Sequence, residues 1–233
     1  MKQLITLFAV LAGTAALFAA KPEFKDNTLV CGNKKLTFAK NGNITVFSGN
    51  KKLGYFMTYY IIRKAPDKKV ADWGSYTAKD CSFTIKNNKA EWVLKKTLKD
   101  GSSWVAANQT LEILPDGKLQ LTVKVSESGS KDWIYDKRSS SIWFMLPANA
   151  GKLEFQGKEI TPDINVKKYV FTAVKSDFNV KLYSGSPEDR FTVSTENKKI
   201  EAINLYPYAS QKAFRMTMAP WNHGKTAVIN IQL

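Results

Sequence analysis

The stretch from Trp104 to Ser128, WVAANQTLEILPDGKLQLTVKVSES, constrains the fold more than any other. Leu111 and Ile113 alternate with Thr110 and Glu112 ahead of Pro115-Asp116-Gly117. Leu119, Leu121, Val123 and Val125 alternate with Gln120, Thr122 and Lys124 after it. A period of two on both sides of a turn marks two strands with one face buried and one face wet. Proline presets φ at the second position of a type I turn, and Gly117 can take the positive φ that closes the loop. A β-hairpin is predicted here.

The same pattern recurs along most of the chain. Asn41-Gly42-Asn43, Gly49-Asn50-Lys51, Asn87-Asn88, Lys99-Asp100-Gly101 and Gly157-Lys158 separate short runs rich in β-branched and aromatic residues. Leu53 to Arg63, LGYFMTYYIIR, is the densest run and is predicted as a central strand covered on both faces. Ala65 to Asp80 lacks alternation and reads as a loop carrying aromatic residues. The runs amount to about fifteen short strands, with no convincing amphipathic helix. The expected fold class is all-β, an antiparallel β-sandwich with enough strands for a large two-sheet, supersandwich-like arrangement.

Residues 1–20 read as a secretory signal peptide. Lys2 is a short positive start, Leu4 to Ala20 carries no charge, and Lys21-Pro22-Glu23 ends the run. An uncleaved anchor is the alternative, although the run falls short of the about 20 apolar residues of a comfortable span. No linker rich in Pro, Gly or Ser follows, so residues 21–233 are expected to form a single domain. The expected location is secreted or periplasmic, with no transmembrane segment after cleavage.

Charge narrows the partners. There are 35 Lys and Arg against 20 Asp and Glu, a net charge of +15. Only Arg63, Arg138, Arg190 and Arg215 are arginine. Nucleic-acid readers lean on the planar arginine fork, so nucleic acid is not expected as a partner. Lysines paired at turns suit a solubilising surface that protects strand edges. Such a surface also attracts acidic polysaccharide or an anionic envelope polymer.

Cys31 and Cys81 are candidates for one disulfide in an oxidising compartment, the alternative being two buried thiols. Their spacing does not suit zinc, and His223 is the one histidine, so no metal site or other cofactor is expected.

Catalytic signals are sparse. Glycoside hydrolysis needs two carboxylates about 5–10 Å apart. Glu127, Asp132, Asp136, Glu188 and Asp189 are available, but no spacing singles out a pair. A polysaccharide lyase could use a Tyr or His base with a cation neutralising a uronate, and His223 with Tyr206, Tyr208 and Arg215 is the cluster to nominate. No Gly-x-Ser-x-Gly nucleophile elbow is present. No catalytic residue is assigned. A binding site asks less, because sugar faces stack on aromatic rings. Trp73 and Tyr76 in the irregular stretch, Trp133 and Tyr135 among charged residues, and Trp221 beside His223 are the candidate ligand-binding residues. Trp92, Trp104 and Trp143 fall within strand patterns and are expected in the core.

LTFAKNGNITVFSGNKKL at Leu36 to Leu53, the LEILPDGKLQLTV hairpin, GKLEFQGKEITP at Gly151 to Pro162 and the late RFTVSTENKKIEAINLYPY come in a telling order. In that order the chain resembles the β-sandwich modules of secreted bacterial carbohydrate-active proteins, including those N-terminal to glycoside hydrolase domains. The resemblance implies a module that is often non-catalytic. The expected function is an exported carbohydrate-binding β-sandwich. The alternatives are a structural or envelope-interaction protein with a basic surface and, third, a polysaccharide-active enzyme, glycosidase or lyase.

Overall fold

The computed structural model describes residues 20–64, 69–128, 133–135, 141–149, 151–174, 177–182, 187–195, 200, 202–219 and 226–233. The first strands are β1 (Glu23–Lys25), β2 (Thr28–Cys31), β3 (Lys34–Phe38), β4 (Ile44–Ser48), β5 (Lys51–Lys64), β6 (Val70–Ser75) and β7 (Ser82–Lys86). Next come β8 (Lys89–Thr97), β9 (Trp104–Ile113), β10 (Leu119–Ser128), β11 (Trp133–Tyr135), β12 (Ser141–Pro147), β13 (Leu153–Phe155) and β14 (Lys158–Ile160). The last are β15 (Phe171–Val174), β16 (Phe178–Leu182), β17 (Phe191–Thr195), β18 (Ala202–Tyr208), β19 (Ala213–Ala219) and β20 (Thr226–Gln232).

They form two antiparallel sheets, so the fold is the expected all-β sandwich. The larger has 11 strands in the order β1-β2-β3-β4-β5-β12-β19-β18-β15, with β6 and β11 also on β5. The smaller has 9 strands in the order β14-β13-β16-β17-β20-β10-β9-β8-β7. The strands outnumber those read from sequence because short segments pair where no alternation announces them. Val70–Ser75, within the stretch expected to be a loop, is strand β6 along the outer half of β5. The signal peptide expected over residues 1–20 lies outside the described residues except for Ala20. Among the described residues no helix is long and apolar enough to cross a membrane.

The hairpin that anchors the sequence reading forms as β9–β10. Leu111 faces Leu121 and Ile113 faces Leu119. The turn is closed by Leu114 N–H donating to Lys118 O at 2.8 Å and by Gly117 N–H donating to Leu114 O at 2.9 Å. Leu111, Leu119, Leu121 and Val123 bury their side chains in the core, as the alternation requires.

One continuous core fills the space between the sheets. Phe144 of β12 packs on Phe56 of β5 and, across the gap, edge-on to Phe191 of β17 at 5.4 Å. Phe171 of β15 stacks on Phe155 of β13, again across the gap, at 4.0 Å. Aromatic pairs of this kind add about 0.5–1.5 kcal/mol each beyond area burial. Polar bridges fix the register of one sheet on the other. Trp92 donates to Ala39 O at 2.9 Å. Thr58 on β5 donates to Gln109 Oε1 on β9 at 2.5 Å, and Gln109 Nε2 donates to Gly42 O at 2.7 Å.

The candidate disulfide is not formed. Both cysteines are free thiols. Cys31 Sγ donates to Ala20 O, whereas Cys81 Sγ turns to the carbonyls of Thr77 and Lys95. Burial pushes both thiols up from their ordinary pKa, so neither is an activated nucleophile.

An ion pair ties the turn Pro187–Asp189 to the start of β5. Lys51 Nζ donates to the buried Asp189 carboxylate at 2.7 Å. Hydrogen bonds from Lys51 and Ser48 hold that carboxyl below the ordinary carboxylate range. A depressed native pKa contributes stability above the unfolded value, near 4 by the general reference of about 3.9, and loses it as pH falls through the native value. Asp189→Asn is expected to cost about 1–2 kcal/mol at neutral pH. In thermal melts its deficit against wild type should shrink as pH falls below about 4. A deficit independent of pH would mean that the carboxylate charge is not what stabilises the turn.

Candidate functional site

Side chains alternate across a strand, so each strand of the large sheet shows one face to the core and one away from it. Phe56, Tyr60, Ile142, Phe144, Phe214, Met216, Ile203 and Leu205 face the core. The residues between them make a second face, which the register sets out in rows. Met57, Trp143, Thr217 and Asn204 lie side by side on β5, β12, β19 and β18. Tyr55, Met145, Arg215 and Tyr206 form the next row.

These rows carry a band of rings around one cation. Tyr59 stacks on Trp143, with centroids 3.6 Å apart and planes 12° from parallel. The Arg215 guanidinium lies over the Trp143 ring at 4.5 Å, and 5.8 Å and 5.7 Å from the rings of Tyr206 and Tyr208. Tyr59 reaches Trp143 from β5 and Arg215 reaches it from β19, so Trp143 is flanked from both neighbouring strands. At one end Trp73 of β6 stands 6.2 Å from Tyr59 and is 59 % exposed. At the other, Tyr169 meets Tyr206 edge-on at 5.4 Å and is 55 % exposed. The middle is sheltered, with Trp143 only 8 % exposed, and the two ends project.

The electrostatics are one-sided. None of β5, β12, β19 and β18 contains an Asp or Glu. Among the described residues, Arg215 Nε, Trp143 Nε1 and Asn204 Oδ1 are buried with no hydrogen-bond partner. Burial, reinforced by Tyr208, drives the Tyr59 hydroxyl well above the ordinary phenol range, and Arg215 offsets only part of this. Burial and the Asp72 charge push Tyr60 up to about 12. Tyr60 faces the core, and on the second face the protonated Tyr59 suits a hydroxyl donor and not a general base.

Of the residues expected to bind a ligand, Trp73 lies on this band. The backbone N–H of Trp73 donates to Asp72 Oδ1 at 2.7 Å, and strand pairing opposite Ile61 turns its ring to the second face. Tyr76 does not lie there. It is 1 % exposed and packs edge-on to Tyr60 inside the core, because the chain leaves β6 turned inward. Trp133 and Tyr135 lie on β11, paired with Lys64 and Ile62 of β5. Trp221 and His223 lie outside the described residues. Tyr206, Tyr208 and Arg215, nominated together with His223, do come together on one face.

Trp92 is core, as expected. Trp104 is only half-buried, with Lys95 Nζ over its ring at 4.7 Å. Trp143 is buried but on the second face, outside the core cluster. Tyr59 and Trp143 were therefore missed as site residues. The available signal was the interval of two: in SIWFMLP and AFRMTMA the positions between core residues are Trp143, Met145, Arg215 and Thr217.

A separate cleft of about 360 Å³ lies between Ala20–Pro22, the β9–β10 turn and Leu233. It holds none of these aromatic residues, and Asp116 and Lys118 on its wall pair with each other at 2.9 Å. No protein-family profile matches the chain, and no curated protein matches it in sequence.

Proposed function

We propose that the protein is an exported, non-catalytic carbohydrate-binding β-sandwich whose site is the second face of the large sheet. The observation that carries this reading is the continuous band from Trp73 through Tyr59 and Trp143 to Arg215, Tyr206 and Tyr169. Exposed rings at the ends offer stacking faces for sugar rings, and the polar atoms between them suit hydroxyl groups. The leader-like first twenty residues and the resemblance to secreted carbohydrate-active modules agree with it. The raised pKa of Tyr59 does not suit proton abstraction by that phenol.

Retention on immobilised neutral and acidic polysaccharides, at low and high salt, tests the proposal. Salt-resistant retardation on at least one glycan is expected. Trp73→Ala should weaken it about tenfold, the scale of one lost stacking contact. Because Trp73 is largely exposed, its removal should change stability by no more than about 0.5 kcal/mol. Retention confined to acidic matrices, abolished by salt and untouched by Trp73→Ala, would replace this reading with that of a basic envelope-interaction protein.

A further inference from the structure

We infer that the sugar bound on the large sheet is a uronate, whose carboxylate pairs with Arg215; the inference rests on the carbohydrate-binding reading above. Arg215 is half-buried in the middle of β19, and among the described residues it has neither an ion pair nor a hydrogen bond. A guanidinium in that position normally takes a carboxylate partner, because a partly desolvated charge is costly when alone. The strand on each side of it, and the strand beyond β12, contain no acid that could serve.

The rings that surround Arg215 hold it in place without using its donors. Trp143, Tyr206 and Tyr208 lie around the guanidinium and accept no hydrogen bond from it. A guanidinium is a planar fork of donors, and a carboxylate is its planar complement. Trp143 Nε1, in the ring that the guanidinium covers, is likewise buried and unpartnered. Asn204 Oδ1, in the same row as Trp143, is an acceptor for a sugar hydroxyl. A neutral sugar would use the rings and Asn204 but leave the charge of Arg215 unanswered.

The test is calorimetric titration, at physiological ionic strength, with galacturonate, glucuronate and mannuronate oligosaccharides and their methyl esters. At least one acid should bind about tenfold or more tightly than its ester, the scale of one charge-assisted pair. Arg215→Gln should erase that preference. Arg215→Lys keeps the net charge but loses the fork, and should erase most of it. Lys124→Gln removes one charge from an exposed position on the other sheet and should change affinity by less than about twofold, because exposed distant charges are screened. Thermal melts of Arg215→Lys should match wild type. Equal binding of acid and ester, or an acid preference that survives Arg215→Gln, would overturn the uronate assignment while leaving Trp73-dependent glycan binding intact. Binding to no uronate would also overturn it, and retention on neutral glycans would then decide separately whether the carbohydrate reading survives.

Discussion

Gly54→Ala is expected to destabilise the protein by about 3–5 kcal/mol, combining overpacking with an unfavourable backbone conformation. Gly54 has φ +154°, and a Cβ there would run into the Phe144 ring and lie 2.6 Å from Met145 O. A side chain can rotate away, but the carbonyl belongs to the neighbouring strand and cannot move without breaking the β5–β12 ladder. Gly54 also stands beside the irregularity between Val46 and Phe47, where β4 and β5 change register. The glycine therefore lets β12 lie close to β5, and that closeness sets Trp143 against Tyr59. Gly49 is the control: its φ is +53°, and a Cβ there would meet nothing within 4 Å. Gly49→Ala should cost only about 1 kcal/mol, from the backbone alone. Denaturant midpoints for the two variants check the comparison. Similar small losses would mean that β5 and β12 are not tightly apposed at Gly54.

Gln109→Leu should cost about 2–4 kcal/mol, although leucine fits a core by polarity. Gln109 is 2 % exposed and accepts from Thr58 while donating to Gly42 O. Leucine would leave the Thr58 hydroxyl and the Gly42 carbonyl buried without partners, each at its full desolvation cost. Removing the second partner as well should recover part of the loss. The double variant Thr58→Val with Gln109→Leu is expected to be less destabilised than the sum of the single variants, with a coupling of about 1 kcal/mol or more. Additive losses would mean that the bridge contributes nothing as a unit. The location matters because Thr58 lies on β5 between Met57 and Tyr59, so the bridge fixes the strand that carries the Tyr59 ring.

The fold was legible where the signal is local. The β9–β10 hairpin needs only alternation and a turn, and both stand within twenty-five residues. The long strand β5 was legible from its density of β-branched and aromatic residues. Strand β6 was not, because Pro66, Asp67 and Gly74 break the pattern, and only pairing with the outer half of β5 makes Val70–Ser75 extended. The same pairing decides that Trp73 turns outward and the chain then carries Tyr76 inward. The disulfide was unreadable because sequence does not orient a thiol, and each here points to a different carbonyl. The site was half legible. Tyr206 and Arg215 face each other across a tight β18–β19 hairpin, so their proximity follows from a local register. Tyr59 and Trp143 meet through β5–β12 pairing over some eighty residues of chain, and no local pattern announces such a pair.

The binding face can be tested through the indole N–H resonances of the protein titrated with neutral and hexuronate oligosaccharides. Trp73 and Trp143 lie on the second face of the large sheet. Trp92 is tied to Ala39 O in the core, and Trp104 belongs to the smaller sheet. The resonances of Trp73 and Trp143 should move as glycan is added, while those of Trp92 and Trp104 stay in place. A glycan that binds while Trp73 and Trp143 remain unmoved would contradict the assignment of this face.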